Sequence, residues 1–125
     1  MPVSVCKKPF ADASALQYVA NGAHNRDIFG NEDGGPPLTC GIMAITKHDS
    51  GGTSAKSPCT GYVIVTEGEL SLEDAAKPGD ISILEPGNVI RIDKGTTITW
   101  SSRTSGKAIY VGQYEYGMDQ KKYLV

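Results

Sequence analysis

From Tyr62 to Trp100, short runs of apolar and β-branched residues are separated at nearly even intervals by Gly and Pro-Gly punctuation. Ile81 and Ile83 alternate with polar neighbours, Ile90 and Ile92 alternate with Arg91 and Asp93, and Ile98 and Trp100 alternate with threonines. An alternation of period two puts one residue set on a buried face and the other on a wet one. Many such strands with turn residues between them predict an all-β, antiparallel fold, closed as a small barrel or paired as a double sheet. Asp93-Lys94-Gly95 reads as a tight turn between two of the strands.

The flanking segments extend the pattern. Leu38 to Lys47 is nearly continuous in apolar character, as a strand covered on both faces would be. Tyr62 to Thr66 reads as a strand that Leu70 and Leu72 continue beyond a bend at Gly68. A last strand is expected from Ala108 to about Tyr116, with Tyr110, Gly112, Tyr114 and Tyr116 on one face. His48 to Pro58 is a loop by composition. Asp12 to Gly22 reads as the one helix, capped by Asp12 or by Ser14 with Gln17, and stopped by Asn21-Gly22. A loop or short edge strand follows around Asp27 to Phe29, then a turn-rich connection. Residues 1–37 thus form an N-terminal arm, helix and edge strand, packing on a barrel built from 38–125.

A chain of 125 residues is one domain with a single core. The formal net charge of −2 leaves no basic footprint for nucleic acid, and no Lys/Arg cluster is present to hold a membrane surface. No apolar run has the length of a signal-peptide core or a membrane span, so a cytoplasmic protein is expected, with a small organic molecule as partner. The three cysteines, Cys6, Cys40 and Cys59, have no metal-binding spacing, and their odd number argues for reduced thiols over a disulfide framework.

Glu85-Pro86-Gly87-Asn88 through Lys94-Gly95-Thr96-Thr97-Ile98 resembles the second motif of the cupin superfamily, and Tyr62 to Leu70 resembles the end of the first. Gly41-Ile42-Met43, Lys94 to Ile98 and Ile109 to Tyr114 are similar to segments of the ethanolamine-utilisation type of cupin. The resemblance covers roughly residues 38 to 116 and implies a jelly-roll barrel. Metal-binding cupins use a His-x-His pair, a Glu and a later His. Those positions fall here among Ser54, Ala55, Lys56 and Ser57, on Gly61 and on Ile98, so the resemblance implies neither metal nor cofactor. The kinase-like activity reported for the ethanolamine type is not implied either, because Cys59-Thr60-Gly61 stands where acidic residues often occur.

A metal-free barrel can still hold one small ligand and act on it with acid–base groups. His48, at a strand end by the expected barrel mouth, is the leading catalytic candidate, set against a solvated loop histidine beside Asp49. Arg26 and Asp27 are further catalytic candidates, with His24 beside them for binding. Arg26 could clamp a carboxylate, or the cluster could be a structural salt bridge. Tyr114 joins the catalytic set, and Tyr110, Tyr62, Met43, Ile98 and Trp100 the substrate-binding set, against plain packing for each. Ile98 and Trp100 share the parity of the missing metal histidine, so both are expected to face the interior. The reading is a metal-independent cupin enzyme of lyase, isomerase or cyclase type, without cofactor and forming a homodimer. Its alternative is a non-catalytic cupin that binds a ligand or builds a dimer.

Overall fold

The computed structural model describes residues 3–11 and 15–125. Ten strands run in chain order. They are β1 (Gln17–Ala20), β2 (Ala23–Gly30), β3 (Thr39–Thr46), β4 (Thr53–Lys56) and β5 (Gly61–Gly68), then β6 (Leu70–Asp74), β7 (Ile81–Leu84), β8 (Val89–Ile92), β9 (Thr97–Ser101) and β10 (Ser105–Gly112). They form a six-stranded sheet in the order β1-β2-β3-β10-β5-β8 and a four-stranded sheet in the order β4-β9-β6-β7, antiparallel throughout. This is the paired antiparallel arrangement that the alternation predicts and the jelly roll that the resemblance implies, with β1 and β2 extending the larger sheet beside β3.

Period-two alternation explains where the core lies. In β5, Val63 and Val65 are buried while Tyr62 and Thr66 are exposed. Residues of both sheets meet in one cluster of Ile45, Val63, Val65, Leu70, Leu84, Ile92, Ile98 and Ala108, against which Met43, Trp100 and Tyr110 also pack. Ile98 and Trp100 face inward, as their parity requires.

Several local expectations are corrected by the pairing. The expected helix is absent over Gln17–Ala20, which is β1. Asn21 (φ 46°) and Gly22 (φ 86°) both have positive φ, as a two-residue hairpin turn demands. The Asn-Gly pair read as a helix stop therefore closes a hairpin onto β2, where the chain gains ladder hydrogen bonds that an isolated helix of two or three turns would not match. Residues 12–14, with the expected caps Asp12 and Ser14, lie outside the described residues. Within the span read as loop, β4 pairs with β9, Ala55 opposite Ile98. Its Thr-Ser-Ala-Lys sequence carries no apolar alternation, so only the partner strand reveals it. At Gly68 the chain does more than bend, because β5 belongs to the larger sheet and β6 to the smaller. The last strand stops at Gly112, leaving Tyr114 and Tyr116 beyond it.

The segment after β10 ends in a 3₁₀ turn, Gln120–Tyr123, with Asp119 as its N-cap. Leu124 then bridges to Ala55 and the Val125 N–H donates to the Ser54 carbonyl at 3.0 Å, so this segment covers the free side of β4. No helix among the described residues is long and apolar enough to cross a membrane.

Leu70 is fully buried at the point where the chain enters the smaller sheet. Leu70→Ala is expected to lower stability by about 2–5 kcal/mol, through lost burial plus the cavity left behind, read as a lower midpoint in urea unfolding with little change in slope.

Candidate active site in the barrel

The site begins with a register. Asp27 of β2 lies opposite Gly41 of β3, which lies opposite Tyr110 of β10. With only a hydrogen at Gly41, the Tyr110 ring lies across β3, and a Cβ there would run into the ring tip as well as the Arg26 carbonyl. The Tyr110 hydroxyl donates to Asp27 Oδ1 at 2.6 Å. Tyr114, just past the strand, donates to the same oxygen at 2.8 Å, and the Gly117 N–H donates to Oδ2 at 2.8 Å. The two rings sit 6.3 Å apart between centroids at 32°. Burial, first of all, pushes both phenols well above the usual tyrosine range, and the adjoining Asp27 carboxylate adds to it. Both hydroxyls are therefore proton-bearing donors to Asp27.

In front of these phenols the barrel holds a cavity of about 180 Å³. Its wall is mostly apolar, with Met43, Ile45, Val63, Ile92, Ile98 and Trp100 on it beside Tyr110 and Tyr114. Of the residues expected to bind substrate, Met43, Ile98, Trp100 and Tyr110 thus share one cavity. His24 and Tyr62 also border it, but strand parity turns both side chains to the outer face of the sheet. His24 pairs opposite Ala44 and packs edge-on against Tyr18 at 5.4 Å, and Tyr62 is 49% exposed. What these two offer the cavity is backbone.

Asp27 stands behind the phenols and lines a second, polar pocket of about 230 Å³ with Gln17, Asn25, Gly117 and Gln120, and Arg26 borders the same pocket. Asn25 and Gln120 border both spaces. The chain positions 26 and 27 are neighbours in sequence, yet the pleat separates their side chains. Asp27 faces inward, whereas Arg26 pairs opposite Ile42 on the other face and forms no ion pair with any described residue. His48 is exposed in the loop after β3, where its Nδ1 is 2.7 Å from the Ser50 hydroxyl and accepts the Ser50 N–H at 3.1 Å. It is not part of the cavity wall. Cys59 does border the cavity, and burial raises its thiol, as it does that of Cys40, which disfavours a reactive thiolate.

The positions equivalent to a cupin metal site also converge here. Ala55, Ser57, Gly61 and Ile98 all line the cavity, and Ala55 is the direct partner of Ile98. Ala, Gly and Ile side chains carry no ligating atom, and among the described residues no three His, Cys, Asp or Glu side chains gather as a metal site. These positions do not fit a metal. Their small side chains instead leave open part of the space that the cavity occupies.

The sequence reading missed Asn25 and Gln120, and it did not connect Tyr110 with Asp27. Polar residues at inward parity on a barrel strand were the available signal for Asn25. Gln120 had none, because it lies outside any strand.

Two antiparallel sheets packed around a small apolar cavity give this chain the cupin fold. Among solved structures it is similar to the Clostridium difficile EutQ protein, with 21% identity over 86% of this chain and 81% of that one and a TM-score of 0.66. It is also similar to ectoine synthase from P. lautus, with 16% identity over 90% and 78% and a TM-score of 0.64. An RmlC-like cupin from Shewanella frigidimarina NCIMB 400 aligns at 16% identity over 78% and 80%, TM-score 0.58. A scan against protein-family models and a search of curated proteins give no match.

Two measurements test the geometry. Gly41→Ala should cost about 1–3 kcal/mol in chemical unfolding, because the new methyl group displaces the Tyr110 ring from Asp27. In a phenolate-absorbance titration, Tyr110 and Tyr114 of the six tyrosines should ionise well above the usual tyrosine range. Because their folded values are raised, their contribution to stability is full below about pH 10 and is lost as pH rises further, since the unfolded chain gives up these protons first. Alkaline unfolding should therefore coincide with their late ionisation, and Tyr110→Phe with Tyr114→Phe should remove that step.

Proposed function

We propose that this protein is a metal-independent cupin enzyme that moves a proton on a small carbonyl-bearing or aromatic molecule held in the barrel, in a reaction of lyase, isomerase or cyclase type. The observation that carries this reading is the convergence of two cavity-wall phenols on one carboxylate oxygen, Asp27 Oδ1. With their protons committed to Asp27, the phenol oxygens offer lone pairs to a bound ligand. A ligand O–H, N–H or activated C–H beside Tyr114 can hand its proton to the phenol oxygen as the phenol's own proton passes to Asp27. The ligand keeps the electron pair of the broken bond, the phenol is regenerated, and the carboxylate becomes a carboxylic acid. Returning the proton to another ligand atom completes an isomerisation, and returning it to a leaving group completes an elimination.

The relay suits its surroundings. A free phenolate is costly in an apolar, half-buried site, so a coupled transfer through the phenol avoids the charged intermediate. Asp27 borders the polar pocket and can exchange its proton with water there. Trp100 and Met43 supply an apolar wall for a flat or carbonyl-bearing ligand. Ectoine synthase, a fold neighbour, is by its name an enzyme, which supports an enzymatic use of the barrel.

One observation favours the alternative of a non-catalytic binding barrel. Asp27 already accepts three hydrogen bonds, and such a hub can serve solely to lock β2, β10 and the segment after it together. The two readings separate by experiment. In deuterated water, the protein should speed exchange of the α-protons of small ketones, followed by NMR, and Asp27→Asn should slow that exchange by about 10²–10⁴-fold. Binding without exchange across the panel would instead establish the binding barrel. Elemental analysis of protein purified without added metal should find no stoichiometric iron, nickel, zinc or manganese. Finding one would overturn the metal-independent reading.

A further inference from the structure

Two carboxamides stand where the apolar cavity meets the polar pocket. Asn25 has the inward parity of Ala23 and Asp27 on β2, and Gln120 comes from the 3₁₀ turn that follows β10. Both border both spaces, and both are half-buried. Neither makes a side-chain hydrogen bond of regular geometry to a described residue, although the Gln120 amide lies close enough to Tyr114 to favour ionisation of that phenol. Gln17, opposite Asn25 on β1, also borders the polar pocket but is exposed, whereas several other polar groups nearby are occupied. The Thr53 hydroxyl donates to the Ala20 carbonyl, the Thr39 hydroxyl to the Tyr114 carbonyl, and both phenols to Asp27.

A primary carboxamide has two N–H donors and a carbonyl acceptor. Such a group facing an open space keeps its donors and acceptor for water or for a ligand that displaces it. No buried polar side-chain atom of the described residues lacks a partner, so the free amide atoms must be those open to the two spaces. They are available to a ligand, and they flank Tyr114 and Asp27.

We infer that Asn25 and Gln120 form a throat that reads the polar head of the ligand, and that the ligand is an apolar small molecule ending in a neutral carbonyl or carboxamide group. Its apolar body lies in the barrel cavity against Met43 and Trp100. Its head sits between the two amides, which donate to the carbonyl oxygen and accept from any N–H. An ammonium head would leave the amide N–H groups unmatched, and a carboxylate head would face Asp27, although Arg26 and Lys56 also border the two spaces. Placing the carbonyl there sets its α-carbon beside the phenols, so the inference rests on the proton-relay reading for its catalytic meaning but not for its binding prediction.

The test uses the full chain with benzamide as the probe and ethylbenzene as its apolar counterpart, both titrated by NMR. Benzamide should bind saturably and shift the side-chain amide signals of Asn25 and Gln120. Asn25→Leu and Gln120→Leu should each weaken benzamide at least tenfold while ethylbenzene binding is kept or strengthened. Gln120 lies outside the sheets, so its variant keeps the test alive if Asn25→Leu fails to fold. Benzamide affinity unchanged in Gln120→Leu, or saturable binding of ethylbenzene alone, would overturn the inference. Failure of the relay shows elsewhere, as wild-type protein that binds benzamide and exchanges no ketone proton.

Discussion

The Tyr110 ring reaches Asp27 across an intervening strand, and it does so only because β3 carries a bare glycine at the crossing. Gly41 is the common partner of both residues in the register, and its missing side chain is the space the phenol occupies. One absent methyl group thus joins β2 and β10 by a hydrogen bond that skips a strand. The same carboxylate gathers Tyr114 and the Gly117 backbone, so it also fixes the course of the chain after the last strand. That segment goes on to supply Gln120 and Leu124 to the cavity wall and to cover β4. The candidate chemistry and the closing of the barrel therefore hang on a single buried-edge interaction.

The division of the interior follows from strand parity. Met43 and Ile45 of β3, Val63 and Val65 of β5, Ile90 and Ile92 of β8, and Ile98 and Trp100 of β9 make an apolar wall in which a polar contact is strengthened. Inward positions at the far end of β2 bear Asn25 and Asp27 instead, and the 3₁₀ turn adds Gln120 beside them. The positions equivalent to the metal ligands of metal-binding cupins are occupied here by Ala55, Ser57, Gly61 and Ile98, which form cavity surface.

Similarity to solved cupin structures at this level of identity speaks to backbone architecture, and the function proposed rests on the residues of this chain. In this protein the cavity is bordered by two phenols sharing a carboxylate and by the carboxamides of Asn25 and Gln120 beside them. Those five groups come from β2, β10, the turn after it and the 3₁₀ segment, and they form no contiguous motif.

Apolar patterning by itself determined an all-β, antiparallel fold and located β5 to β9, because period two is a local property that any half-buried strand displays, while the jelly roll and the inward facing of Ile98 and Trp100 came from the resemblance of its motifs to those of cupins. The odd cysteine count and the charge balance were equally local. Tertiary structure alone decided that Asn21-Gly22 closes a hairpin, since the same left-handed pair can end a helix or turn a strand and only the partner strand chooses. It alone revealed β4, whose residues show no pattern without β9 beside them. It separated Arg26 from Asp27 across the pleat, left His48 on the surface with Ser50, and brought Asp27 to tyrosines 83 and 87 residues away. Such meetings depend on register between strands distant in the chain, and register is set by the whole sheet and by what glycines leave empty.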